Sequence, residues 1–229
     1  MMNDFYSRTL ALIGETSLDK LKNSAVAVFG IGGVGSYVIE SLARSGVGTV
    51  YIYDKDTVKK SNINRQLVAL NSTVGELKTS VAKLRCRDIN PDINIIDCPI
   101  FVTPDTDIPF LKFDFIVDAI DNVTAKLFLT EKATEFNIPI ISVMGTGNKL
   151  HPEKLKISDI YETKECPLCK VMRCELKKRG IKKLSVVWSD EHPIKPYNTD
   201  KERTVASMSF VPAAAGMIAS SYVIRNLIK

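Results

Sequence analysis

No stretch of this sequence approaches the ~18 consecutive apolar residues that a membrane span needs. The opening run, Met1-Met-Asn-Asp-Phe-Tyr-Ser-Arg8, also lacks the charged segment, apolar core and small-residue cleavage site of a secretory leader. Both absences lead us to expect a soluble, cytoplasmic protein with no membrane partner. Cysteine is scarce and odd in number: Cys86, Cys98, Cys166, Cys169 and Cys174 do not make a secreted disulfide framework and are expected to be reduced. Neither sign of charge dominates. A net charge of +5 and a pI near 8.9 are too mild to identify a nucleic-acid protein on their own. Repeats and low-complexity tracts are missing as well. The 45% hydrophobic content, by contrast, lets 229 residues bury a sizeable core, as one large α/β domain or one and a half ordinary ones.

The chain is organised around Gly30-Ile-Gly-Gly-Val-Gly35. It follows the apolar run Ala25-Val-Ala-Val-Phe29 and precedes a segment with apolar residues at Val34, Val38 and Leu42. That order reads as strand, tight turn and helix. Glycine suits such a turn because a side chain would block the backbone from a phosphate, whose charge the helix-start amides then face. Asp54 ends the next apolar run, Thr49-Val-Tyr-Ile-Tyr53, about 20 residues after the glycines, where a carboxylate can accept hydrogen bonds from ribose hydroxyls. Gly30, Gly32 and Gly35 equally satisfy the G-x-G-x-x-G of nicotinamide and flavin enzymes, so the turn alone leaves the nucleotide open.

In chain order, residues 4–13 have helical spacing with Asn3 or Asp4 as cap, and Arg8 lies inside that helix; its plain reading is a solvated surface charge. A second short helix runs from Thr16 or Ser17 to Asn23. After Asp54, residues 55–66 are polar and fall at the carboxyl end of the sheet, where such folds bind ligands. Thr73-Val-Gly-Glu76 has capping-box spacing and is expected to open a helix that ends before Pro91, with Lys78 in its first turn. A cation there opposes the helix dipole unless an anion lies nearby. Strands are expected at residues 93–98, 113–120, 138–143 and 184–188. Asp118 and Asp121 flank the exit of the second of these, with a helix over residues 123–137; Asp121 reads either as a ligand residue or as an ordinary helix cap. Strands alternating with helices to this point imply a parallel, right-handed sheet.

Between residues 164 and 183 stand eight Lys or Arg and two Glu, an excess of six positive charges. Leu168, Met172 and Leu176 form a helical apolar stripe. Lys170, Arg173 and Lys177 are expected near one face, with Lys178, Arg179, Lys182 and Lys183 beyond. Such a patch can neutralise phosphates without reading bases, or be simply a solvated face. Residues 189–203 read as a polar loop. Residues 210–228, almost wholly apolar with a proline near their start, read as a buried helix or a dimer contact.

Taken together, the glycines, Asp54, Ser61-Asn-Ile-Asn-Arg-Gln66, Thr73-Val-Gly75 with Lys78, and Asp118-Ala-Ile-Asp-Asn122 resemble the adenylating enzymes of the ubiquitin-activating superfamily, which includes the molybdopterin and thiamine adenylyltransferases. The resemblance covers roughly residues 5–150. Asp159-Ile-Tyr-Glu-Thr-Lys, Lys170-Val-Met-Arg-Cys-Glu-Leu-Lys-Lys-Arg-Gly180 and Ser207-Met-Ser-Phe-Val-Pro-Ala-Ala-Ala-Gly216 look like its tRNA threonylcarbamoyladenosine dehydratase branch. The resemblance implies a Rossmann-like, mostly parallel sheet with helices on both faces. It further implies one adenylating domain over 1–229, with a nucleotide core at about 24–150 and an RNA-facing portion at about 151–229. The activity it implies is ATP-dependent activation of the threonyl carboxylate of a modified adenosine beside the anticodon, followed by loss of water.

By motif, Gly30, Gly32, Gly33 and Gly35 would cradle the nucleotide and Asp54 would hold its ribose. Asn62, Arg65 and Lys78 would surround the phosphates, and Asp121 with Asn122 would line the site, Asp121 binding Mg²⁺. Arg8 matches an arginine that reaches the ATP of a partner subunit in a homodimer. Lys170, Arg173, Lys177, Lys178 and Arg179 would face tRNA. One departure is Cys166-Pro-Leu-Cys169: relatives that activate ubiquitin-like proteins often carry two such pairs for zinc. Here only Cys174 and His151 or His192 could complete four ligands. The alternatives are activation of a small sulfur-carrier protein, with a sulfur-transfer partner, and nicotinamide-dependent oxidoreduction.

Overall fold

The computed structural model describes residues 4–197 and 205–229. Its helices are α1 (Ser7–Ile13), α2 (Glu15–Asn23), α3 (Gly35–Ser45), α4 (Lys78–Ile89), α5 (Val123–Glu135), α6 (Pro167–Lys178) and α7 (Phe210–Leu227). Its strands are β1 (Ala25–Phe29), β2 (Thr49–Tyr53), β3 (Asn94–Cys98), β4 (Phe115–Asp118), β5 (Ile140–Val143), β6 (Leu155–Asp159) and β7 (Ser185–Ser189).

Successive side chains of a strand point to opposite faces. Val26, Val28, Val50 and Ile52 therefore pack on one side with α3, α4 and α7, whereas Ala27, Phe29, Tyr51 and Tyr53 pack on the other with α5. α6 continues that second layer, placing Cys169, Met172 and Leu176 against Val186 and Trp188. Strands buried on both faces read as nearly continuous apolar runs, as these do. The sheet order is β3-β2-β1-β4-β5-β7-β6, parallel throughout except for β6 against β7. This is the expected mostly parallel sheet with helices on both faces.

The order reverses between β1 and β4. Connections from β1 run outward through β2 to β3, and those from β4 run the other way. Open sheets of this kind bind ligands at the carboxyl ends beside such a switch point. No described helix is long and apolar enough to cross a membrane.

Several local expectations need correction. β6 was not anticipated; it is an edge strand whose only signal is a short alternation at Leu155 and Ile157, both half-buried. α4 begins at Lys78, not at the Thr73 box. Gly75 adopts φ +96°, and residues 74–77 run back along Val58 instead, while Thr73 Oγ1 accepts the Leu70 amide at 2.9 Å. α1 has Tyr6 at its cap position with no side-chain cap bond, Asp4 opens a 3-10 turn, and Asn3 lies outside the described residues. α2 starts one residue early, at Glu15, because Gly14 at φ +78° makes the break between the two helices. Residues 198–203 of the polar loop, and residue 204 after it, also lie outside the described residues. α7 is buried against α3, where a Cβ on Gly216 would meet the Val34 carbonyl at 2.6 Å.

Candidate active site

The glycine turn is held by contacts that a side chain would destroy. Gly30 sits at φ +89°, and a Cβ on it would lie 2.8 Å from the Ala119 carbonyl, where β1 and β4 diverge. A Cβ on Gly35 would fall 1.8 Å from the Gly30 carbonyl, so the first turn of α3 closes directly over the end of β1. Gly32, by contrast, has nothing within 4 Å of its missing Cβ. That space opens onto a cleft of about 590 Å³, in the range of small-molecule sites.

Three segments are tied into this turn. Asp54, at the end of β2, accepts the Ile31 amide at 2.7 Å and the Asp56 amide at 2.8 Å. The Ser36 hydroxyl donates to the Gly32 carbonyl at 2.7 Å and accepts the Leu67 amide at 3.2 Å, fastening residues 62–67 over the turn. The side chain of buried Asn62 accepts the Lys59 amide at 3.0 Å, and Arg65 lies against Gly33 while donating to the Ser61 carbonyl.

Lys78 is buried at the first position of α4, and its ammonium lies 3.0 Å from Asp56 and 3.7 Å from Asp54. The unfavourable meeting of a cation with a helix N-terminus is thus offset by two carboxylates of the chain itself. The cleft is lined by the basic residues Lys55, Lys59, Arg65 and Lys78 and the acidic residues Asp54, Asp56 and Asp121.

β4 delivers the remaining wall, and here the sequence expectations divide. Asn122 caps α5, its side chain accepting the Ala125 amide at 3.0 Å, so it serves the helix rather than the cleft. That leaves Asp121 exposed on the cleft wall, free of the capping role. Asp118 is fully buried beneath it, 3.0 Å from the equally buried Lys126, whose ammonium also donates to Ser142 and the Val143 carbonyl. Neither Lys126 nor this network was anticipated.

Gln66 ends the Ser61–Gln66 run, and nothing local in the sequence marks it out. It is buried in the cleft wall, and its Oε1 has no hydrogen-bond partner among the described residues. A buried carbonyl left in this state is ready to accept from a ligand donor. Thr146 and Gly147, together with Val205, Ser207 and Pro212, close the far side of the cleft.

Arg8 is not brought to this site by its own chain. It is exposed on α1, whose neighbour Tyr6 packs against Gly46 at the end of α3 remote from the glycine turn. The basic face of α6 is also smaller than its charge count. Arg173 turns inward to the Thr163 carbonyl at 3.0 Å, Lys178 pairs with Glu175, and Arg179 pairs with Glu175 and Glu131. Lys170 and Lys177 remain exposed, as do Lys182 and Lys183. Among the described residues no group of three or more His, Cys, Asp or Glu is placed to hold a metal ion, and Cys174 is exposed, apart from the buried Cys166 and Cys169.

The ThiF family profile matches residues 6–229. The chain is 42% identical over 240 residues to the tRNA threonylcarbamoyladenosine dehydratase of Bacillus subtilis, covering 98% of this chain and 94% of that protein. It is 36% identical over 234 residues to the Haemophilus influenzae protein of the same name, covering 93% and 89%. Crystal structures of Escherichia coli tRNA N6-threonylcarbamoyladenosine dehydratase, TcdA, in complex with AMP and with ATP, each match at a TM-score of 0.91. Each is 30% identical in sequence, and the match covers 100% of this chain and 97% of that one.

Proposed function

The chain belongs to the ThiF family, and from that premise we propose that it is an ATP-dependent tRNA threonylcarbamoyladenosine dehydratase, which adenylates the threonyl carboxylate of the modified adenosine and lets it cyclise with loss of water. The observation that carries this is the identity to the Bacillus subtilis dehydratase, 42% across nearly the whole of both chains.

The cleft supplies what that reaction demands. A carboxylate attacking an α-phosphate gathers several negative charges at one point, and they must be offset as the transition state forms. Arg65 and Lys78 provide fixed cations beside the glycine turn, and the α3 amides face the phosphates. Gly30, Gly32, Gly33 and Gly35 leave the backbone bare for close approach. Asp54 accepts from the ribose while holding the turn in place, and Asn62 orients the phosphate contacts.

Mg²⁺ is generally held by one or two carboxylates plus substrate phosphates. Asp121, exposed on the cleft wall, suits that role, and the ion would stabilise charge on the leaving pyrophosphate. The substrate provides both the carboxylate and the group that displaces AMP, so no protein nucleophile is required.

Two further assignments complete the proposal. The enzyme acts as a cytoplasmic homodimer in which Arg8 of one subunit completes the ATP site of the other; Leu12, one turn along the same face of α1, is 85% exposed. The RNA-facing portion is the region from residue 151 onward, with Lys170 and Lys177 as its free cations on α6.

AMP release from ATP and Mg²⁺ is expected to depend on threonylcarbamoylated tRNA and to be absent with unmodified tRNA. Pyrophosphate exchange driven only by a small ubiquitin-like protein ending in glycines would instead make this a sulfur-carrier activator. The Lys170→Glu/Lys177→Glu protein is expected to show a KM for tRNA raised about tenfold, with a shallower salt dependence, because each lost phosphate contact removes one released counterion. An unchanged KM would take α6 out of the RNA interface.

A further inference from the structure

Cys166-Pro-Leu-Cys169 stands at the start of α6, with Cys166 at the cap position and Pro167 first in the helix. Both cysteines are buried, Cys166 at 4% exposure and Cys169 at 0%. The Cys166 sulfur lies against Gly145, 4.0 Å from the position of a Cβ there, and Gly145 and Leu168 both line the cleft. The sulfur therefore lies directly behind the cleft wall.

A second, independent observation is Lys149. It is 4% exposed, donates to the Ser189 carbonyl at 3.1 Å, and makes no salt bridge to a carboxylate among the described residues. The nearby carboxylate of Glu191 is taken by the amides of Leu150 and His151. Burial pushes the Lys149 ammonium down, and Cys166, then Glu191, Cys169 and Asp190, oppose that shift. A thiolate at Cys166 thus adds counter-charge to a buried ammonium that has no salt bridge of its own among the described residues. The side chain of Cys169, then the amides of Cys169 and Gly145, then Lys149 favour that thiolate against its burial and hold Cys166 well below the ordinary thiol range. Cys169 is pushed up by its contact with Cys166 and by burial, with Thr163 and Arg173 beside it opposing the shift. Cys166, at the N-terminal cap of α6 where the helix dipole favours an anion, is thus the sulfur better placed to carry the charge.

We propose that Cys166 and Cys169 are a reversible dithiol/disulfide site behind the cleft wall, in which Cys166 reacts with a small peroxide and Cys169 resolves the product. The Cys166 thiolate attacks one oxygen of hydrogen peroxide. The O–O bond breaks, hydroxide leaves, and Cys166 becomes a sulfenic acid. The Cys169 thiol then attacks the Cys166 sulfur, the S–O bond breaks, and the departing oxygen leaves as water with the Cys169 proton. Two thiols have lost two electrons and peroxide has gained them. The disulfide carries no charge, so oxidation removes one of the counter-charges around Lys149 and loosens residues 145–149, three of which (Gly145, Thr146 and Gly147) line the cleft. This chemistry does not depend on the proposed RNA substrate.

The test treats the full-length protein with hydrogen peroxide, blocks free thiols after denaturation, and maps peptides by mass spectrometry. The expected product is a Cys166–Cys169 disulfide that dithiothreitol reverses. In Cys169→Ser, dimedone should trap a sulfenic acid on Cys166 at a yield ~10-fold above that on Cys169 in Cys166→Ser, since attack follows the thiolate. The wild-type map needs no substitution, so the proposal stays falsifiable if either variant fails to fold. Oxidation confined to Cys174 or Cys98, with Cys166 and Cys169 still free thiols, overturns it. Trapping on Cys169 in place of Cys166 overturns the order of attack.

Discussion

An Arg8→Ala protein is expected to stay folded and to lose AMP formation by ~100-fold or more, the scale on which one preorganised charge contact acts. The stability half follows from exposure: Arg8 stands on the outside of α1, and such surface substitutions usually stay within about 0.5 kcal/mol. The activity half follows from the proposed role in a partner's site. Tyr6 anchors this part of the chain against Gly46, at the end of α3 away from the glycine turn, and Arg8 is not among the cleft-lining residues. On the proposed mechanism it acts on the phosphates from another subunit. Mixing Arg8→Ala with Asp121→Ala should therefore restore part of the activity, because a heterodimer carries one site with both residues intact. Full activity of Arg8→Ala would remove the residue from the mechanism. Loss without rescue, in subunits shown to exchange, would contradict action between subunits.

Lys126→Met is expected to cost about 3–5 kcal/mol of folding stability, read from the urea midpoint, because it strands a fully buried carboxylate. All three ammonium donors are satisfied, by Asp118 at 3.0 Å, Ser142 at 3.1 Å and the Val143 carbonyl at 2.9 Å. The same Asp118 carboxylate accepts the Ile120 amide at 3.1 Å, immediately before Asp121. The ion pair therefore sets the path of the chain into the cleft wall as well as the packing beneath it. Adding Asp118→Asn should recover part of the loss, since the stranded charge goes while the Ile120 contact can be kept. A single-variant cost under about 1 kcal/mol would show that the site relaxes or admits water.

The parts of this site that were legible in sequence are those enforced by local chemistry. Gly35 is required by its contact with Gly30 inside the turn, and Gly30 by the positive φ the turn imposes, to which the distant Ala119 carbonyl adds a second constraint. Asp54 follows from its place at a strand end, and Lys78 from its place beside a helix start. The glycine pattern could not choose between nicotinamide and ATP, since both nucleotides make the same demand of the backbone; the run from Ser61 to Gln66 and the wall around Asp121 made the difference.

What stayed hidden depends on partners far apart in the chain. Lys126 reads as an ordinary surface position until β5 brings Ser142 beside it. Arg173 and Lys170 are alike by composition, but Thr163 draws one inward and leaves the other in solvent. Asp121 and Asn122 are adjacent and each can cap a helix, so only the structure shows that Asn122 takes that role. β6 carries too little apolar pattern to declare itself, because an edge strand needs burial on only part of its surface.

The most direct test is to incubate the purified protein with ATP, Mg²⁺ and threonylcarbamoylated tRNA, digest the tRNA to nucleosides, and weigh the modified adenosine. The account predicts a nucleoside lighter by one water, formed in step with one AMP for each conversion. An unchanged nucleoside from folded protein that still binds ATP would contradict it.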